Sequence, residues 1–151
     1  MDWKIQLCEL NFDDREKTAV AQVLNNEWLT MGTVVSEFEE KFSNFIGNGV
    51  SSVAVSSATA GLHLLLMAIG VSQKDEVIMP GLTFVSDANV VMQLGAKPVF
   101  ADSNSLLNLN VSEDDIISKI TLKTKAIVIV HFAGHPMAMQ QLIDVCEQRD
   151  I

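Results

Sequence analysis

The spacing of apolar residues changes near residue 52 and divides the chain into two kinds of pattern. Before that point apolar positions recur every three or four residues. Ala19, Val20, Val23 and Leu24 share one face of a helix predicted over 12–26. Val35, Phe38, Phe42, Phe45 and Ile46 do the same over 34–46, and Gly47 and Gly49 then stop that helix. Trp28-Leu29-Thr30-Met31-Gly32 lies between them, a connector with one glycine. After residue 52 short β-branched runs alternate with helical ones. Strands are predicted at 53–55, 76–79, 98–101 and 126–130, and helices at 59–69, 85–94, 113–120 and 138–149. Asp75 opens one strand, and Gly70 and Gly95 close the helices before two of them.

Strands alternating with helices of about ten residues imply right-handed βαβ units and a mostly parallel sheet with helices on both faces. The expected fold class is therefore α/β, a three-layer α/β/α arrangement. The expected organisation is a helical segment over 1–50 followed by an α/β domain over 51–151. Asp102 to Ser112 is rich in Ser and Asn and reads as the loosest stretch. The sequence stops at Ile151, just past a helix, where another strand would begin, so a truncated domain is expected.

Composition narrows the partners. Apolar residues make up 48% of the 151 and charged residues 19%, which excludes a disordered chain and allows a sizeable core. The formal net charge of −9 argues against a nucleic-acid or anionic-membrane surface, since both demand clustered Lys and Arg. Cys8 and Cys146 are far apart and in no metal-like spacing, so they read as buried free thiols of a reducing compartment. Met1-Asp2-Trp3-Lys4 has no leader pattern, no run approaches the ~20 apolar residues of a bilayer span, and a cytoplasmic location is expected.

Candidate chemistry gathers at the predicted C-terminal ends of strands, where parallel sheets bind ligands. Ser56-Ser57-Ala58-Thr59-Ala60 opens an apolar helix, and its free N–H groups, hydroxyls and helix dipole suit an oxyanion. An ordinary serine N-cap, worth about 1 kcal/mol, explains the same residues. Thr83-Phe84 follows the next strand, and Phe84 can stack on a heteroaromatic ring or simply fill core. His63, on an apolar helix, reads as a core residue. His131 and His135 flank Phe132-Ala133-Gly134 without a third ligand, so a polar contact from His131 is the better reading than metal. Lys97, Lys119, Lys123 and Lys125 sit in polar settings, none of them at a predicted strand end suited to a desolvated amine.

In combination these segments resemble the N-terminal part of the large domain of the DegT/DnrJ/EryC1/StrS family of pyridoxal-phosphate-dependent sugar aminotransferases. The resemblance lies in five ordered blocks: Trp28-Leu29-Thr30-Met31-Gly32 with Glu37-Phe38-Glu39; Ser56 to His63; Asp75 to Pro80 with Thr83-Phe84; Leu94 to Asp102; and Thr124-Lys125-Ala126-Ile127 leading into Val130 to Pro136. The phosphate turn is most similar to that of enzymes installing a 4-amino group on a nucleotide-linked pentose or hexose.

The resemblance implies a partial fold type I transferase domain. It implies that Ala58 and Thr59 hold the cofactor phosphate with Ser57 shaping the turn, that Phe84 stacks on the pyridine ring, and that His131 lines the floor. Thr30, Met31 and Gly32 would lie at the substrate mouth. It further implies a homodimer serving polysaccharide or lipopolysaccharide biosynthesis, with glutamate as amino donor and a nucleotide-linked keto-sugar as acceptor. The lysine that holds the cofactor as an imine, and the acid that pairs with the pyridine nitrogen, lie beyond Ile151 in the family pattern. The chain alone is thus expected to be inactive and to retain pyridoxal phosphate weakly or not at all. A non-catalytic remnant binding a phosphorylated ligand or partner, and a pyridoxal-phosphate-dependent sugar dehydratase, remain as alternatives.

Overall fold

The computed structural model describes residues 4, 9–28 and 30–151; Met1, Asp2, Trp3, Cys8 and Leu29 of the sequence reading fall outside the described residues. The chain forms two compact units, Met1–Ala54 and Val55–Ile151. In the first, α1 spans Asp14–Asn25 and α2 spans Thr33–Ile46. Asp13 caps α1 in a reciprocal box with Glu16, satisfying two of the orphan amides of the first turn. Phe38, Phe42 and Phe45 form a tilted aromatic row along α2, with successive ring centroids 6.0 and 6.4 Å apart.

The expected strand at 53–55 does not form. Its central amide and the one just before it are taken by α2 instead: Glu39 Oε1 accepts the N–H of Ala54 at 2.8 Å, and Ser43 Oγ accepts that of Ser52 at 2.9 Å. A β-branched run becomes a strand only when another strand offers it a ladder, and no strand among the described residues pairs with this one.

The second unit is built on three parallel strands, β1 Glu76–Pro80, β2 Lys97–Ala101 and β3 Thr124–Ile127, in the order β2-β1-β3. Four helices flank them: α3 Ala58–Ala68, α4 Ser86–Gln93, α5 Glu113–Ser118 and α6 Gln140–Arg149. The central strand is buried throughout, and its alternation feeds two cores. Val77 and Met79 join Leu66, Val90 and Val91 of α3 and α4 on one face, while Ile78 joins Ile116 and Leu142 of α5 and α6 on the other. The result is the expected α/β fold with helices on both faces.

β3 begins two residues before the expected 126–130 and stops three residues short of its end. Val128 still donates its N–H to the carbonyl of Ile78 at 2.8 Å, but the next donor that β1 would offer belongs to Pro80, which has no N–H. Pro98, by contrast, sits on an edge strand whose inward amides come from its neighbours; Lys97 donates to Asp75 O at 3.0 Å.

Two matching caps fix the helix ends. Gly70 and Gly95 adopt φ of 79° and 76° after α3 and α4, and Val71 and Ala96 donate back to Leu66 and Val91. Val71 and Ala96 are then buried in the same core cluster, at the N-terminal edge of the sheet. Because α3 and α4 pack on each other and both end at that edge, their N-termini lie at the opposite one, where the strands finish.

Candidate functional site

The C-terminal edge of the sheet collects the strand-end residues of the second unit. Ser57 caps α3, its side-chain oxygen accepting the N–H of Ala60 at 3.1 Å. The N–H groups of Ala58 and Thr59 have no hydrogen-bond partner among the described residues. Two amides at the positive end of an 11-residue helix are what an anion requires. The three small residues leave that end open.

Phe84 lies between β1 and α4 and is 74% exposed, so it does not fill the core. Its neighbour Thr83 is held inward, donating its hydroxyl to Asp87, which is only 4% exposed in the first turn of α4. Thr83 therefore fixes the loop and leaves Phe84 outside it. The sequence reading missed Asp87; the spacing Thr83-x-x-x-Asp87 at a helix start was the available signal. At the same edge, Gly81 donates its N–H to Ala101 O at 2.8 Å, extending the β1–β2 ladder by one residue, and a Cβ on residue 81 would approach that oxygen to 3.4 Å.

His131 follows β3 at this edge and is exposed, just before the tight turn Phe132–Gly134. Ala133 takes φ of 52° within it, a left-handed conformation uncommon outside glycine. His63 is half-buried on α3 rather than enclosed in the core.

The stretch expected to be loose, 102–112, is the most heavily tied loop of the unit. Ser103 and Val111 form an antiparallel bridge, Asp102 donates its N–H to Asp115 at 2.7 Å, and Asn104 donates its N–H and its amide to the carbonyl of Asn110. Ser and Asn side chains here act as hydrogen-bonding groups for the backbone rather than as solvated spacers. The Lys119 ammonium beside Asp115, followed by the Asp102 amide, holds that carboxyl below its usual range. An open depression of about 560 Å³ lies between Gly81, Asp102 and Leu106, and none of the expected site residues lines it.

Thr30, Met31 and Gly32 belong to the first unit, between α1 and α2, with Thr30 and Gly32 lining a small cavity of about 110 Å³ shared with Trp28. Trp28 Nε1 donates to Met31 O at 3.0 Å, and a Cβ on residue 32 would sit 2.6 Å from that nitrogen. Gly32 is thus demanded by a close approach of the indole, which composition alone does not reveal.

All five lysines of the second unit lie away from the C-terminal ends of the strands. Lys74 and Lys123 precede β1 and β3, Lys97 and Lys125 fall in the first two residues of β2 and β3, and Lys119, which pairs with Asp115, closes α5 before β3. Lys97 pairs with Glu76 at 2.9 Å. Cys146 is free and packs beside the Leu142 core, and burial pushes its thiol up. Among the described residues no helix is long and apolar enough to cross a membrane.

Residues 11–151 match the DegT/DnrJ/EryC1/StrS aminotransferase family. The GDP-perosamine synthase of Escherichia coli O157:H7 is 41% identical over 140 residues, covering 91% of this chain and 37% of that protein. The UDP-4-amino-4-deoxy-L-arabinose–oxoglutarate aminotransferase of Shewanella sediminis is 40% identical over 147 residues, covering 97% and 37%. Among solved structures, protein Spr1654 of Streptococcus pneumoniae in its PLP form superposes with a TM-score of 0.88 at 30% identity, over 97% of this chain and 37% of that one. The aminotransferase TlmJ of Streptoalloteichus hindustanus does so with a TM-score of 0.82 at 31% identity, over 93% and 38%. The chain spans little more than a third of the length of these relatives. It belongs to the DegT/DnrJ/EryC1/StrS aminotransferase family.

Proposed function

We propose that this chain is the phosphate- and ring-binding part of a pyridoxal-phosphate-dependent aminotransferase acting on a nucleotide-linked keto-sugar, with glutamate as amino donor. The observation that carries the reading is the pair of unpartnered amides at Ala58 and Thr59 on the same sheet edge as an exposed Phe84. Residues 51–151 form the cofactor-binding domain. Ser57 keeps the turn open, Ala58 and Thr59 donate to the phosphate, Phe84 covers one face of the ring, and His131 lines the floor. Thr30, Met31 and Gly32 border the sugar-nucleotide mouth, and the working enzyme is a cytoplasmic homodimer. When bound, pyridoxal phosphate supplies an electron sink and carries the amino group between donor and acceptor.

In this reading the chain by itself is inactive, because none of the five lysines of the second unit lies at the C-terminal ends of the strands, where the cofactor would sit. Energetics agree. Micromolar binding requires about 8 kcal/mol, whereas a helix N-terminus contributes up to ~2 kcal/mol and ring stacking about 1 kcal/mol. Millimolar affinity follows.

Absorbance titration of the purified chain with pyridoxal phosphate tests this. Weak saturation in the millimolar range, weakened further by Phe84→Ala, and no amino-group transfer from glutamate are expected. A stable yellow complex at micromolar cofactor would overturn the account of the chain's inactivity, and indifference to Phe84→Ala would overturn the stacking role.

A further inference from the structure

Asn110 is 3% exposed, and its side-chain amide spans the turn that follows His131. Its Oδ1 accepts the N–H of Phe132 at 2.8 Å, while its Nδ2 donates to the carbonyl of His135 at 2.9 Å. Between these anchors Ala133 and Gly134 both adopt left-handed backbone, at φ of 52° and 76°. Gly134 donates to His131 O at 2.9 Å and His135 to Phe132 O at 3.0 Å, so the turn is closed from within as well. Asn110 is itself clamped: its N–H donates to Asn108 Oδ1 at 3.2 Å, and its carbonyl accepts the backbone N–H of Asn104 at 2.9 Å. His131 Nδ1 accepts the N–H of Met137 at 3.4 Å, which leaves the proton of the neutral ring on Nε2.

We propose that Asn110 is a positioning residue for His131: its amide staples the 132–135 turn so that the imidazole is held at the end of β3 with Nε2 as its donor. The chemistry demands asparagine. One planar group must accept at one end of the turn and donate at the other, which an ionised aspartate cannot do and which a longer glutamine would do from the wrong distance. Without the Asn110 amide both backbone groups lose this partner, and the turn is no longer tied to the buried side chain that fixes it. The functional meaning rests on the assignment of His131 to the cofactor site, but the positioning itself does not involve the cofactor.

The test is a ¹⁵N spectrum of the histidine rings in the full chain at fixed pH, without pyridoxal phosphate. Asn110→Ala and Asn110→Asp are compared with wild type, and Val71→Ala, in the core cluster on the other face of the sheet, serves as a variant remote from the turn. The expected result is a changed Nδ1/Nε2 tautomer signature for His131 in both Asn110 variants, with His63 unmoved and Val71→Ala like wild type. An unchanged His131 signature in either folded Asn110 variant would overturn the proposal, as would an equal change in Val71→Ala. Failure of both Asn110 variants to fold also counts against it, since Asn110 would then serve the fold as a whole. A wrong cofactor assignment would leave this experiment untouched and would show only in the pyridoxal phosphate titration.

Discussion

The side-chain oxygen of Ser57 accepts the N–H of Ala60 at 3.1 Å, so one hydroxyl satisfies the third amide of α3 and leaves the first two free. The cap and the anion site are therefore one construction. Replacing Ser57 by alanine removes the cap, and a loss of about 1 kcal/mol is expected from urea unfolding. No change in the urea midpoint would mean that the N-terminus of α3 is held by something other than this serine.

Glu76 opens β1 with its carboxyl nearly enclosed, accepting from the Lys97 ammonium at 2.9 Å and from the Thr121 hydroxyl at 2.8 Å. Lys97 first, then Thr121, hold its carboxyl below the usual range. A carboxyl whose pKa is lower folded than unfolded contributes stability that is present above the unfolded value, about 4.3. That contribution is lost as pH falls through the folded value. Stability should hold between neutrality and about pH 5, then decline. Glu76→Gln should decline less steeply than wild type, because it has no such proton to take up. Since the Lys97 side chain is 71% exposed, screening keeps the difference below about 1 kcal/mol. Urea midpoints at pH 7 and pH 3.5 measure it, and parallel declines would contradict the assignment.

Gly70 and Gly95 end neighbouring helices with the same hydrogen-bond pattern, but they do not have the same surroundings. A Cβ at residue 70 meets nothing within 4 Å, whereas one at residue 95 would lie 2.7 Å from Gln73 Cγ. Both alanine variants incur the left-handed backbone cost of about 1–2 kcal/mol, and Gly95→Ala must also displace Gln73. Thermal unfolding should rank wild type above Gly70→Ala and Gly70→Ala above Gly95→Ala. The reverse order of the two variants would show that steric contact at Gln73 is irrelevant.

The parts of this fold that were legible in sequence are those set by local chemistry. The serine before Ala58 reads as a cap, Gly70 and Gly95 read as helix stops, and the alternation of Val77, Ile78 and Met79 with helical runs reads as a sheet covered on both faces. The parts that were not legible depend on remote partners. The 53–55 run has the composition of a strand, yet the amide of Ala54 at its centre is claimed by Glu39 of α2, and that of Ser52 just before it by Ser43. Asn110 looks like loop filler until the turn 22 to 25 residues later arrives at its amide. Gly32 looks like a spacer until the indole of Trp28 packs against it. In the candidate site, Phe84 and His131 could be named from sequence, whereas Asp87, which fixes the loop carrying Phe84, was signalled only by its spacing from Thr83.

The most direct test of the central claim is amide mapping by NMR with millimolar pyridoxal phosphate and, separately, pyridoxal, which lacks the phosphate. The account predicts shifts at Ala58 and Thr59 with pyridoxal phosphate only, and shifts at Phe84 with both. Shifts confined to the lysine-bearing edge around Lys97 and Lys123, with Ala58, Thr59 and Phe84 unmoved, would contradict it.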